Sequence, residues 1–509
     1  MDHDVPPDWQ PLLAEFDSRL ATARAMGGEA RLAKLAAAGR LNAREQLAAL
    51  CDADSFVELG TLAGGMEHGG LPAAPADALV GGLARIDGRP VVVGAEDFTV
   101  QGGSIGFATH AKRLRFARIA LQERVPLVML LDGAGERASN ALARHPYAPN
   151  DMQELARLSG QVPTIAVVTG SSAGHGAITA LLSDLVIMLE KATLFAAGPA
   201  LVAAATGETV SKEDLGGARL HAARSGVAHN VVADEREAFA LIRSWLALMP
   251  SSAWQWAPSR AGDDGGERRL DAILRLMPRD AQKPYDMRAV LRLLLDDGET
   301  LEVQPQFGRS LLTVLGRLGG ETVAVVANKP TFLAGSIDRD AADKAARFLQ
   351  IADAFNLPVI FLADNPGILS GSKAEAVGTL RAAARMFMAQ SRLRTPKLHV
   401  TLRKAYGFGS SIMAMNPFDN QTLSLAFPGI SLGGLPAAGG AEAAGMDAEA
   451  SRRMREAQSS GAWSAGDTLA YDEIIDPREL RNALLAGLRT ALARRAQAPS
   501  PASHGGIWP

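Results

Sequence analysis

Cys51 is the only cysteine in 509 residues. That excludes an intrachain disulfide framework and any cysteine-rich zinc ribbon, and it fits a reducing compartment. The chain also lacks a surplus of charge, with 52 basic residues against 55 acidic and a net charge of −3. No Lys/Arg cluster with interleaved aromatics breaks that balance, so nucleic acid is not an expected partner. No apolar run reaches membrane-spanning length, and the opening Met1-Asp2-His3-Asp4-Val5-Pro6-Pro7 is acidic and Pro-rich where a secretory signal is basic and then apolar. The expectation is a cytoplasmic protein without direct membrane insertion.

With 47% hydrophobic residues and a mean hydropathy of +0.04, the chain has the material for large cores in two or more domains. Residues 8 to 50 are rich in Ala, Leu, Arg and Glu at helical spacing, and Gly39 interrupts them, so two helices are expected in an N-terminal arm spanning 1–50. Short β-type runs follow: Ala78-Leu79-Val80, Leu83-Ala84-Arg85-Ile86 and Pro90-Val91-Val92-Val93-Gly94, the last two joined by the turn signal Asp87-Gly88-Arg89. A helical stretch from Ala108 to Glu123, an apolar run Pro126 to Leu131 and a loop opening Asp132-Gly133-Ala134-Gly135 mark an α/β layer whose loops gather at one end of the strands.

The stretch Ala173-Gly174-His175-Gly176-Ala177 stands between the β-like run Thr164 to Thr169 and helix-compatible sequence. At such a strand-to-helix turn the first helical amides have no intrahelical acceptor, and glycine lets a ligand approach the main chain. Alone, this reads as a small-residue packing turn. A second copy changes the reading. At an offset of 232 positions Gly103-Ser104-Ile105 falls on Gly335-Ser336-Ile337, Lys112 on Lys344, Asp132 on Asp364 and Gly135 on Gly367, and one residue further on Gly174 and Gly176 fall on Gly407 and Gly409. Two copies of one domain follow. The expected boundaries are 51–260 and 270–495, separated by a polar Gly/Pro-bearing connector, with a flexible tail over 496–509.

The motif Gly174-His175-Gly176-Ala177-Ile178 through Asp184, with Leu194-Phe195-Ala196-Ala197-Gly198-Pro199, resembles the strand, oxyanion loop and helix of the crotonase superfamily. More narrowly, nearly the whole chain resembles the carboxyltransferase β subunit of biotin-dependent acyl-CoA carboxylases, of the propionyl-CoA and methylcrotonyl-CoA type. The stretches that carry this include Leu215-Gly216-Gly217-Ala218-Arg219, Lys283-Pro284-Tyr285-Asp286-Met287, Val326-Ala327-Asn328-Lys329-Pro330, Asp364-Asn365-Pro366-Gly367 and Arg403-Lys404-Ala405-Tyr406-Gly407. The implied fold class is α/β, as two tandem crotonase-like (ββα-spiral) domains related by an internal repeat.

The resemblance also implies a mechanism. Carboxyl transfer to the α-carbon of an acyl-CoA passes through an enolate, whose oxygen needs donors fixed in advance. Gly174 and His175 would supply the amides for the thioester oxygen, and Gly407 and Phe408 those for the ureido oxygen of biotin. Gly135, Glu136, Gly176, Gly409, Ser410 and Ser411 would bind substrate and cofactor. Biotin would arrive on a separate carrier, because Met413-Ala414-Met415-Asn416 lacks an attachment lysine. The implied partners are a biotin carboxylase and a biotin carboxyl carrier subunit, with acyl-CoA as substrate, and the implied assembly is at minimum a homodimer within a homohexamer. No metal is implied.

His175 stands where relatives usually have glycine or another small residue, so it counts as an amide donor whose imidazole shapes the pocket. Glu136 adds a carboxylate in a loop that usually reads Ser-Gly-Gly-Ala-Arg, and Ser410-Ser411 replace a Tyr-Asp pair tied to acyl-chain selection in propionyl-type enzymes. Asp132 and Asp364 read as loop-capping carboxylates, His221 and His229 as structural histidines, and Arg219 as either a CoA-phosphate contact or a surface ion pair. A biotin- or carrier-linked decarboxylase of the same fold and a non-catalytic scaffold are the alternatives. A hydratase is disfavoured because Ile178 stands where a catalytic glutamate would be.

Overall fold

A computed structural model describes residues 6–67, 73–142, 151–260, 264–416, 421–493, 495, 499–502 and 506–509. The chain divides into two compact units, Met1–Arg243 and Ser244–Pro509. The expected arm of two helices is three, α1 (Gln10–Arg24), α2 (Glu29–Ala37) and α3 (Ala43–Leu50). The additional break falls at Met26-Gly27-Gly28, where Met26 and Gly28 take φ of +55° and +87°. There the Gly27 amide donates to Thr99 Oγ1 at 3.0 Å, an approach that leaves no room for a side chain. After the second break, Asn42 and Glu45 form a reciprocal capping box that starts α3.

The strands of unit 1 are β1 (Val57–Glu58), β2 (Leu79–Ile86), β3 (Arg89–Glu96), β4 (Leu127–Leu131), β5 (Thr164–Val168), β6 (Ser171–Ala173), β7 (Leu185–Leu189), β8 (Thr193–Phe195) and β9 (Asn230–Val232). The two β-type runs before Asp87 merge into the single strand β2, which pairs antiparallel with β3 from Leu79↔Glu96 to Ile86↔Arg89. Asp87 and Gly88 close that hairpin with φ of +49° and +77°, the left-handed pair that a right-twisted hairpin needs. The seven-stranded sheet runs β1-β2-β3-β4-β5-β7-β9, while β6 and β8 pair apart from it. From β3 onward the pairing is parallel. The crossovers carry α4 (Phe107–Glu123), α5 (Asp151–Leu158) and α6 (His175–Leu181). Strands β4, β5 and β7 are buried along their whole length, as a parallel sheet covered on both faces requires.

Unit 2 repeats this order with β10 (Thr300–Glu302), β11 (Leu311–Leu318), β12 (Glu321–Asn328), β13 (Val359–Asn365), β14 (Lys397–Tyr406), β15 (Leu423–Ala426), β16 (Ser431–Gly433) and β17 (Glu473–Ile474). Its main path is β10-β11-β12-β13-β14-β15-β17, with β16 paired to β14. Helices α7 (Arg339–Ala354), α8 (Thr379–Ser391) and α9 (Gly407–Ile412) occupy the places of α4, α5 and α6. The long strand β14 does as one element what β5 and β6 do as two. Its first part pairs with β13 and β15, and its last three residues pair with β16. The repeat legible in the sequence is therefore a repeat of fold.

The matched lysines of the repeat hold the scaffold. Lys112 is buried and donates to the carbonyls of Ala76 and Leu79. Lys344, also buried, donates to those of Gln304, Phe307 and Leu311 at 3.3, 2.7 and 2.7 Å. Burial pushes the Lys344 ammonium down to about 7. An unfolded lysine titrates near ~10.4, so between those values the unfolded state binds the extra proton and this group's contribution to stability rises with pH. Lys344→Met should lower the thermal midpoint by leaving carbonyls unpaired, at a cost of about 3 kcal/mol. Thermal melts from pH 7 to 9 should show the gap between wild type and variant widening; a gap that stays constant would contradict this account.

Candidate active site

In unit 1, β6 ends at Ala173, Gly174 turns with φ +55° and ψ −111°, and α6 begins at His175. Glycine takes this conformation without the steric cost that a Cβ brings. The Gly174 amide itself donates to Phe195 O on β8 at 3.0 Å. The amides of His175, Gly176 and Ala177 sit in the first turn of α6, where the helix provides no acceptor. In unit 2, Gly407 takes φ +56° at the start of α9, whose first turn holds Gly407, Phe408 and Gly409. The two turns share one backbone design.

Each turn is flanked by a glycine from the loop after the preceding strand. Gly135 has φ +84°, and a Cβ placed on it would lie 2.8 Å from Ala173 O. Gly367 has φ +118° and faces Tyr406 O, which a Cβ placed on it would meet at 3.5 Å, an ordinary contact distance. The loops are pinned alike. Ile105 N donates to Gly135 O at 2.8 Å and Arg137 N to Ile105 O at 3.0 Å. Ile337 N donates to Gly367 O at 3.1 Å and Leu369 N to Ile337 O at 2.9 Å.

The sequence-predicted residues thus form two groups, Gly135, Glu136, Gly174, His175 and Gly176 in unit 1 and Gly407 to Ser411 in unit 2. Phe408 is 55% exposed. Ser410 is buried, and its hydroxyl has no hydrogen-bond partner among the described residues. The half-buried Ser411 accepts from Asn416 Nδ2 at 3.3 Å.

A charged network in unit 1 was not legible beforehand. Glu136 Oε1 accepts from Asn140 Nδ2 at 2.7 Å, and its Oε2 lies 2.9 Å from His110 Nε2. His110 Nδ1 lies 3.1 Å from Asp151 Oδ1, and Asp151 Oδ2 takes both His175 Nε2 and Arg113 Nε at 2.9 Å. Arg113 continues to Glu96 at 2.8 Å and to Thr179, and Glu96 accepts the Asp132 amide at 2.8 Å. Burial works to raise the Asp151 pKa, but hydrogen bonds from His110 and His175 and the charge of Arg113 outweigh it and hold the carboxyl well below its usual range. Burial dominates at Glu96 and raises its pKa. His110 and Arg113, one helical turn apart on α4, could have been found by comparing the repeats, since Ala342 and Ala345 occupy their places in unit 2.

Other residues singled out from the sequence are structural. Asp132 Oδ1 accepts the Ser171 amide at 3.0 Å while Arg40 pairs with Oδ2. Asp364 pairs with Arg403 and Lys404 at 2.8 and 3.0 Å. His229 accepts the Val186 amide at 3.0 Å, and His221 reaches Leu194 O at 2.6 Å. Arg219 is exposed.

Two tandem units, each opening a glycine turn at the end of a parallel strand, define the class as a tandem crotonase-like fold. The chain belongs to the carboxyl transferase family: the model described as the carboxyl transferase domain matches residues 34–505. The chain is 35% identical over 502 residues to the methylmalonyl-CoA decarboxylase subunit alpha of Veillonella parvula, covering 96% of this chain and 97% of that one. It is 34% identical over 522 residues to the propionyl-CoA carboxylase beta chain of Saccharopolyspora erythraea, covering 97% and 95%. Among solved structures, transcarboxylase 12S, a hexamer with methylmalonyl-coenzyme A and methylmalonic acid bound, matches with a TM-score of 0.90 and 31% identity over 100% of both chains.

The Gly135 contact gives a direct test of the turn. Gly135→Ala must relieve both a left-handed φ and the clash with Ala173 O, which costs about 1–3 kcal/mol. The thermal midpoint should fall, whereas the same change at Gly102, whose added Cβ would meet nothing within 4 Å, should cost less.

Proposed function

We propose that this chain is the carboxyltransferase subunit of a biotin-dependent acyl-CoA carboxylase and moves a carboxyl group from carboxybiotin to an acyl-CoA. The carrying observation is the doubled turn, one glycine-led helix start at Gly174 and another at Gly407 on equivalent strands. Two developing oxyanions call for two sets of prearranged donors, and main-chain amides need no reorganisation during the reaction. On this reading the first-turn amides from His175 onward hold the thioester oxygen of the enolate. The amides at Gly407 and Phe408 hold the second oxygen.

The residues around Gly407 suit a polar ring such as the biotin ureido group. Gly407 turns the chain with φ +56°, Gly409 lets the helix start pack on Gly367 and Asn365, and the buried Ser410 hydroxyl has no partner among the described residues. Carboxybiotin, when bound, supplies the carboxyl group and then a basic nitrogen for the α-proton. No side-chain base is then required of the protein, and Ile178, 43% exposed beside the unit 1 turn, is no base. On this reading Glu136 and Ser411 are candidate selectors of the acyl group.

The partners on this reading are a biotin carboxylase and a biotin carboxyl carrier subunit, and the chain acts as a homo-oligomer. Exposed Leu380, Phe387 and Met388 on α8 give a partner copy an apolar surface to cover. Among the described residues no helix is long and apolar enough to cross a membrane. We place the protein in the cytoplasm. A second reading, decarboxylation of a 2-carboxyacyl thioester through the same enolate, is favoured by the likeness to the Veillonella parvula decarboxylase subunit.

The purified chain alone should fix no bicarbonate. With both partners, biotin and ATP it should carboxylate a short or branched acyl-CoA, read by mass spectrometry over a broad panel. No product from the full set, together with decarboxylation of a malonyl thioester by the chain alone, would reverse the assignment. Within an active system Ser411→Asp should change the preferred acyl group.

A further inference from the structure

Both ring nitrogens of His110 face carboxylate oxygens, Nδ1 toward Asp151 Oδ1 at 3.1 Å and Nε2 toward Glu136 Oε2 at 2.9 Å. An ionised carboxylate accepts and cannot donate, and a neutral imidazole donates from one nitrogen only. Both contacts are hydrogen bonds only if His110 carries a proton on each nitrogen. Asp151 is fully buried and ringed by donors, which keeps it ionised. Glu136 is 55% exposed, and its other oxygen is held by Asn140.

The surrounding charges favour the cation. Among the described residues the groups facing His110 are Asp151 from α5, Glu136 from the loop after β4, and the imidazole of His175 from α6 at a ring separation of 4.9 Å. Behind them Arg113 of α4 bridges Asp151 and Glu96 of β3. The neighbouring Asp77 and Arg137 pair with each other at 2.6 Å and so leave the balance unchanged. Three carboxylates against one guanidinium leave excess negative charge, which an imidazolium reduces. Burial works to lower the His110 pKa, but its hydrogen bonds to Asp151 and Glu136 outweigh it and raise the pKa above its ordinary value.

We propose that doubly protonated His110, with Asp151, is a positioning residue of the unit 1 turn: it fixes Glu136 as an acceptor at the rim, while Asp151 holds His175 and thereby the first amides of α6. Loss of the His110 proton leaves one of its carboxylate contacts without a hydrogen and releases Glu136. Among the described residues unit 2 has no counterpart of the His110 pair of contacts. Ala342, Ala345, Ile368 and Phe408 stand at the positions of His110, Arg113, Glu136 and His175. The bridge Ile105↔Glu136 recurs as Ile337↔Ile368, which confirms that Glu136 and Ile368 correspond.

The test is histidine-selective 13C labelling of the intact protein, with His110 assigned through His110→Gln. The His110 signal should titrate above ~6.5, and Glu136→Gln, a change at an exposed side chain, should lower that midpoint, with Asp151→Asn lowering it further. A His110 that titrates at or below ~6.5, unmoved by Glu136→Gln, overturns the proposal. So does stoichiometric zinc in the purified protein, because His110, Glu136 and His175 each offer a ligand atom within 4.8 Å of the others and a metal ion would then stand in place of the proton. The kinetic arm rests on the carboxyltransferase reading. With partner proteins present, the acyl-CoA KM should rise about tenfold above the His110 midpoint, as one charge-assisted hydrogen bond is lost, and this limb should vanish in His110→Gln. A KM independent of pH, in an enzyme that turns over, counts against the positioning role. Absence of any turnover would count against the functional reading alone, since the titration still decides the state of His110.

Discussion

A helix start can offer its amides to a ligand only where nothing with a Cβ stands in front of or behind it. That constraint governs both units. Gly174 and Gly407 turn the chain at φ near +55°, and Gly135 and Gly367 let the neighbouring loop lie against the carbonyls just before the turn. Everything else serves to hold those two loops in register: the parallel strands that deliver them, the Ile105 and Ile337 bridges that pin them, and the buried lysines that gather the carbonyls beneath. The side chains of the motif are secondary to this, which is why His175 and Phe408 can differ so widely at equivalent places.

The repeat and the turns were legible because they depend on local chemistry. Glycine at a strand-to-helix junction has a steric reason, and a residue type that recurs at a constant offset carries it into the second copy. The β2–β3 hairpin was legible for the same reason, since Asp87-Gly88 is a turn signal with a mechanism. Boundaries were harder to read. The break at Gly27-Gly28 was passed over because the flanking Ala-rich sequence continues the helical pattern, and its cause, the approach of Thr99, lies 72 residues away.

The charged network was illegible for a different reason. His110 and Arg113 come from α4, Asp151 from α5 and Glu96 from β3, and none belongs to a motif whose spacing implies residues on the other elements. A lone histidine on a helix reads as a satisfied core residue, and an aspartate at a helix start reads as a cap. Only the fold brings one buried carboxylate between two imidazoles and a guanidinium. The one signal within reach was negative: alanine at the matching places of unit 2, where the same backbone stands without any of these charges.

That difference between the copies bears on how one fold can host two ligands. A buried charged network is costly unless every member is paired, and it pins side chains more tightly than an apolar core of the same shape. In unit 1 each member has a partner, from Glu136 at the rim to Glu96 at the end of β3. In unit 2 alanine, isoleucine and phenylalanine stand at the places of His110, Arg113, Glu136 and His175, and the loop is held by neutral amide side chains, Asn328 accepting the Asp364 amide and Asn365 the Gly367 amide, each at 3.0 Å. On the proposed reading the unit 1 turn faces a thioester whose acyl group must be chosen, and the unit 2 turn faces one invariant ring. A network of directional charges suits the first task, because it places polar groups at fixed points around a variable ligand. A glycine turn held by neutral amides suits the second.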